Sequence, residues 1–236
     1  MAQHIGIVAC SAEGAALCYQ TICREGAGYL GRHGHPEVSM HTHPLSEYMK
    51  FIYDNHWDGV AELMLSSAGK LAAAGAEFLI CPDNTIHQIF DTMVPRLPLP
   101  WLHIAQEVAA EASRNGFRHL ALLGTRYLME GPVYPPRLGV AGIRHSIPDP
   151  ETRERINTII FDELVNGHFT QESRDYFIGV IQHFKDQGCD AAILGCTEIP
   201  LIVSPQDSPL PTLDSTRLLA RAALRKAVGP APLPSQ

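Results

Sequence analysis

Asp83 and Cys196 are a carboxylate and a thiol, and they stand at the same place in two copies of one pattern. Residues 75–85 (GAEFLICPDNT) lie over residues 188–198 (GCDAAILGCTE). Each copy is a small-residue turn, a short apolar run of strand length, then an acid or thiol followed by small polar residues. A carboxylate with an ordinary pKa of about 3.9 is a ready base at neutral pH, while a thiol near 8.5 can be moved toward acid or base service. Two such groups in register read as a proton-transfer pair facing one pocket.

The elements that position them follow from the same pattern. In an α/β sheet, residues just past the carboxyl end of a buried strand are where ligands sit. Residues 4–10 (HIGIVAC) lie over residues 119–125 (HLALLGT) as a second matched pair, each a strand ending in a polar turn. Further strands are expected at 38–43, 78–81, 101–104 and 191–194. Helices are expected at 13–25, 45–53, 57–74, 105–115, 153–165, 172–187 and 215–226, with a loop over 26–36. Alternating strands and helices call for parallel sheets covered by helices. The fold class is α/β: two similar parallel-sheet lobes related by a pseudo-two-fold axis, with the active site in the cleft between them. Residues 1–98 form the first lobe and 99–211 the second, helix 212–228 packs back on the first, and 229–236 is a frayed tail.

Composition removes several function classes. The chain has 236 residues and a net charge of -7, with no Lys/Arg run to meet phosphates, so no nucleic-acid partner is expected. No apolar stretch reaches the roughly 20 residues a membrane span needs, and, with no basic region or cleavage signal before Ile5, no secretory leader is expected. A cytoplasmic protein whose six cysteines are reduced thiols is therefore expected. Cys81 and Cys189, inside or beside strand runs, read as buried spectators. His33, His35, His41 and His43 form the densest histidine group, but no HExxH or zinc-module spacing accompanies them, so no metal is expected. There is neither a GxSxG elbow nor a GxGxxG turn.

Residues 83–87 (DNTIH), 122–130 (LLGTRYLME) and 194–199 (LGCTEI) resemble three ordered signatures of the aspartate/glutamate racemase superfamily. The resemblance runs from residue 5 to about 225 and implies a cofactor-independent isomerase that inverts the carbon α to a carboxylate. One group removes the proton and another returns it to the opposite face. Asp83 and Cys196 take the catalytic positions, with Asp83 standing where the two-thiol members carry a second cysteine. The resemblance further implies that Ser11, Asn84, Thr85, Thr125 and Thr197 hold the substrate carboxylate, that Arg155 assists, and that the segment with His41 and His43 lines the pocket. Leu128 replaces a threonine of close relatives. Aspartate or glutamate is the leading substrate, a small-molecule carboxylate, and a homodimer is the implied assembly. The alternatives are an isomerase or decarboxylase of a non-amino carboxylic acid on the same fold, and a carboxylate-binding module.

Overall fold

The computed structural model describes residues 2–229; the tail expected at 229–236 lies, from residue 230 on, outside the described residues. The chain divides into two compact units. The first comprises the described parts of Met1–Pro82, Ile89–His103 and Leu219–Gln236; the second is Asp83–Gln88 with Ile104–Leu218.

The first unit is built on β1 (Ile5–Ala9), β2 (Val38–Thr42), β3 (Phe78–Ile80) and β4 (Trp101–Leu102), with α1 (Ala12–Leu30), α2 (Leu45–Tyr53), α3 (Trp57–Ala73) and the single turn α4 (Phe90–Met93). The strands are all parallel in the order β2-β1-β3-β4. β1 and β3 are wholly buried, which is why their sequences are continuous apolar runs rather than alternating ones.

The second unit repeats this plan with β5 (His119–Leu123), β6 (Arg144–Ser146), β7 (Ala191–Leu194) and β8 (Thr212–Asp214), ordered β6-β5-β7-β8 and again parallel. Its helices are α5 (Ile104–Arg114), α6 (Arg126–Glu130), α7 (Pro135–Val140), α8 (Pro150–Thr158), α9 (Gln171–Asp186), α10 (Ile199–Ile202) and the start of α11 (Ser215–Val228). The repeat holds at single-residue register. Ile7 pairs with Ile80 in the first sheet, and the aligned residues Leu122 and Ile193 pair in the second.

Several local expectations are corrected. Trp101 does not open the second series: Leu79 pairs with Trp101 and Ile80 with Leu102, so this strand closes the first sheet. Helix α1 runs through Gly26 to Leu30 instead of ending at Glu25. A Cβ on Gly26 would lie 2.8 Å from His35 Cβ and 2.9 Å from its Cα, so this glycine serves close packing rather than stopping the helix. Helix α8 starts at Pro150 behind the Asp149 cap, the favoured place for a proline. It then passes into a π turn at Ile159–Glu163 and a 3-10 turn at Leu164–Asn166, where a continuous helix to residue 165 was expected. The edge strands β6 and β8 were not foreseen.

Candidate functional site

In the order β6-β5-β7-β8 the chain leaves β5 for one side and returns to its other side at β7, so the switch of direction falls between β5 and β7. Ligands bind outside the carboxyl ends of strands at such a point. Here those ends carry Gly124-Thr125 and Gly195-Cys196. The ladder Leu123↔Leu194 is prolonged by Gly195 N–H donating to the Leu123 carbonyl at 2.7 Å. Both glycines let the strand ends approach, and the wholly buried Leu128 side chain covers them. Leu128 is thus a core residue holding the two turns together.

Thr125 caps α6, accepting from Leu128 N–H at 3.2 Å, and the Asn157 side chain accepts from Arg126 N–H at 3.0 Å. The turn Asp83–Gln88 belongs to this same unit and is tied to the strand ends by side chains. Thr85 Oγ1 and Thr125 Oγ1 are 2.9 Å apart. Asn84 Nδ2 donates to Ser215 Oγ at 2.9 Å, Asn84 Oδ1 accepts from Tyr134 OH at 2.7 Å, and Ser215 Oγ donates to the Leu194 carbonyl at 2.9 Å. Burial pushes the Tyr134 phenol well up, so it remains a donor. The buried His87 ring bonds through Nδ1 to the Asp83 carbonyl oxygen at 2.7 Å; burial lowers its pKa to about 4, leaving it neutral. A neutral ring presenting Nδ1 to a carbonyl carries its proton there.

Cys196 is 8% exposed and Glu198 2%. Cys196 belongs to the core cluster with Leu194, Ile199 and Ile202, and its sulfur also meets a carboxylate: Sγ–H donates to Glu198 Oε2 at 2.9 Å. Burial, then the Glu198 charge and, more weakly, the Asp83 charge push the thiol well above its ordinary range. Asp83, partly buried, therefore lies within electrostatic reach of the sulfur. A resting thiol beside a carboxylate is an acid that needs a proton acceptor before it can be a base.

The second unit thus gathers Asp83, Asn84, Thr85, Thr125, Cys196 and the buried Thr197. Ser11 and His43 belong to the first unit. Ser11 caps α1, accepting from Gly14 N–H at 3.4 Å. His43 Nε2 meets Ser66 Oγ at 3.1 Å, and His41 bridges Ser67 and Lys70 at 2.9 and 3.0 Å. Burial and the Lys70 charge hold the His41 pKa down. Arg155 is not drawn into the cluster: its side chain is 55% exposed, pairs with Glu172 at 3.5 Å and stacks over Tyr176 at 4.2 Å, both on α9. A cavity of about 500 Å³ lies beside α8 and α9, lined by Ile147, Tyr176, Val180 and Phe184 among others, and neither Asp83 nor Cys196 borders it. The six cysteines, all among the described residues, are thiols outside any disulfide, and Cys81 and Cys189 are buried. Among the described residues no three His, Cys, Asp or Glu side chains converge as a metal site, and no helix is long and apolar enough to cross a membrane.

The sequence reading left Glu198, Tyr134 and Ser215 without roles. Glu198 could have been found from its place two residues past Cys196; Tyr134 and Ser215 carry no local signal.

The family model described as Asp/Glu/Hydantoin racemase matches residues 6–223. The chain belongs to this family. Racemases are isomerases, and so is this member. Its fold is close to that of an Asp/Glu racemase candidate from Yersinia pestis, at 33% identity and a TM-score of 0.88 over 96% of this chain and 100% of that one. An aspartate racemase homologue from Pyrococcus horikoshii OT3 is 27% identical, with a TM-score of 0.84 over 97% of this chain and 100% of its own. The broad specificity amino-acid racemase RacX of Bacillus subtilis (strain 168) is 22% identical over 202 residues, 86% of each chain. The expected family and the two-lobed α/β fold are therefore those observed.

Proposed function

We propose that this racemase inverts the α-carbon of a free amino acid by two-base proton transfer, with Asp83 and Cys196 as the two groups and no cofactor. The observation that supports this most is the tie between the two turns: Asn84, next to Asp83, donates to Ser215, which donates to the Leu194 carbonyl two residues before Cys196. Aspartate and glutamate are the first substrates to test, and the likeness to a broad-specificity relative argues for testing neutral amino acids beside them.

A proton α to a carboxylate is very weakly acidic, so the site must stabilise a dianionic, enediolate-like transition state. Fixed donors in a water-poor site act most strongly on such developing charge. The Thr85, Thr125 and Thr197 hydroxyls and the amides of the strand-end turns would supply them. Asn84 spends its amide on Tyr134 and Ser215, so its part is to brace the Asp83 turn. Holding both proton-transfer groups at reacting distance contributes up to about 7–11 kcal/mol more.

The test is incubation of the purified chain with single enantiomers in deuterated solvent. Inversion accompanied by α-deuterium uptake supports the reading. A ligand that raises the melting temperature but never takes up deuterium would point to a binding module. Carbon dioxide release from a malonate, or isomerisation of an unsaturated diacid, would point to the non-amino-acid reaction.

A further inference from the structure

Two-base inversion requires Cys196 to be an acid in one direction and a base in the other, and the structure shows it only as a buried thiol. Among the described residues, the acceptor bonded to its proton is a carboxylate. Glu198 Oε2 is 2.9 Å from Sγ on the same strand-end turn, and both side chains are shielded from water that could otherwise take the proton. We propose that Glu198 is a positioning residue that holds the Cys196 proton, receiving it when Cys196 must act as base and returning it after Cys196 has acted as acid. The proposal rests on the two-base reading above.

The protons balance over a cycle. In one enzyme form Asp83 is a carboxylic acid, Cys196 a thiol and Glu198 a carboxylate. The S–H bond breaks as Glu198 takes that proton; the thiolate then removes the substrate α-proton, leaving the C–H electron pair in the enediolate. Asp83 delivers its proton to the opposite face of that carbon. The enzyme is left with Asp83 ionised, Cys196 a thiol again and Glu198 protonated. Inversion of the other enantiomer runs the same steps backward. Cys196 is a thiol in both resting forms, and Asp83 and Glu198 hold one proton between them.

This removes a difficulty that a lone pair would face. A thiol raised by burial and by two carboxylates is a thiolate too rarely to serve as base at neutral pH. A carboxylate already bonded to it offers a short transfer with no net charge entering the site. The charged groups acting on the thiol are Glu198 on its own turn and Asp83 on the facing turn.

Glu198→Gln keeps the shape and removes the proton acceptor. In the full-length protein, kcat for inversion is expected to fall by about 10²-fold with KM changed little, as for loss of a general base. The remaining activity should climb with pH, because the thiolate must then form unaided. Glu198→Asp should restore part of the loss. An independent readout follows alkylation of Cys196 by iodoacetamide, resolved by peptide mass spectrometry across pH. With the Glu198 acceptor gone, Cys196 should react about tenfold more slowly at pH 7.5, because the thiolate is the form that iodoacetamide alkylates; faster reaction would mean that Glu198 acts only as a charge and overturns the relay. Unchanged alkylation, or a kcat and pH profile matching the parent protein, overturns the Glu198 role. An equal, pH-independent loss in both variants would reduce Glu198 to structural support and also overturn it. A parent protein that neither inverts nor deuterates amino acids rejects the two-base reading itself, which the alkylation measurement distinguishes from a failure at Glu198.

Discussion

Asn84 donates to Ser215 at 2.9 Å, and Ser215 passes the bond on to the carbonyl of Leu194, the last residue of β7. The chain of bonds fastens the Asp83 turn to the strand that presents Cys196, so a neutral, buried network sets the spacing of the two groups proposed to transfer protons. Asn84→Ala removes the acceptor of the Tyr134 hydroxyl, while Ser215 loses a donor but keeps its own bond to the Leu194 carbonyl. Each buried group left unpaired costs about 1–3 kcal/mol. The variant should unfold at lower urea and lose kcat more than KM. Ser215→Ala should behave alike, and the double variant should cost less than the sum of the two. Strict additivity would show that the network does not act as a unit.

Removing either proposed proton-transfer group tests the chemistry directly. Asp83→Ala and Cys196→Ala should each lower the rate of inversion by at least about 10²-fold, with thermal stability close to that of the parent. Chiral chromatography beside mass-detected deuterium uptake gives both numbers. Variants that invert and exchange normally would remove both residues from the mechanism.

Arg155 stands apart from the side chains gathered around Asp83 and Cys196. Its guanidinium points toward Glu172 and Tyr176 on α9, so Arg155→Ala should leave kcat/KM within about threefold, as expected for an exposed ion pair. A hundredfold rise in KM would bring it back as a substrate contact.

His87 predicts a pH dependence of stability. Its pKa is about 4 in the folded chain and about 6.5 when unfolded. Between those values the unfolded state binds more protons, so stability falls as pH drops from 6.5 to 4 and this contribution levels off below. The span is worth about 3 kcal/mol. Urea midpoints measured from pH 7 to pH 4 should decline more steeply for the parent than for His87→Gln. Parallel curves would show that burial of this ring is not the cause.

What the sequence made legible follows from where the free energy is local. Strands buried on both faces, at Ile5, Phe78, Leu120 and Ala191, announce themselves as apolar runs. Their duplication placed Asp83 and Cys196 in register, and the observed pairings keep that register. The edge strand Arg144–Ser146 is polar and three residues long, so nothing in its pattern separates it from a turn. The bracing of the site was hidden for another reason. Asn84 bonds to residues 50 and 131 positions away, and no local propensity encodes a partner at that distance. Glu198 was in view beside Cys196, but only burial of both side chains turns adjacency into a proton path.

Gly195 is where fold and site make the same demand. A Cβ there would sit 2.5 Å from Leu128 Cδ2 and 2.9 Å from the Leu123 carbonyl oxygen. The leucine tip can rotate away, but the carbonyl cannot, because it already accepts the Gly195 N–H at 2.7 Å. Gly195→Ala must therefore part the ends of β5 and β7 and carry Cys196 with it. Overpacking of this kind costs about 1–3 kcal/mol, and displacement of a reacting group by about an ångström can cost 10²-fold in rate. Gly179→Ala is the matched comparison: its Cβ would meet nothing within 4 Å on α9, so stability should rise by about 0.5–1 kcal/mol with activity unchanged. If Gly195→Ala kept full activity while destabilising the chain, the strand ends would not be what aims the thiol.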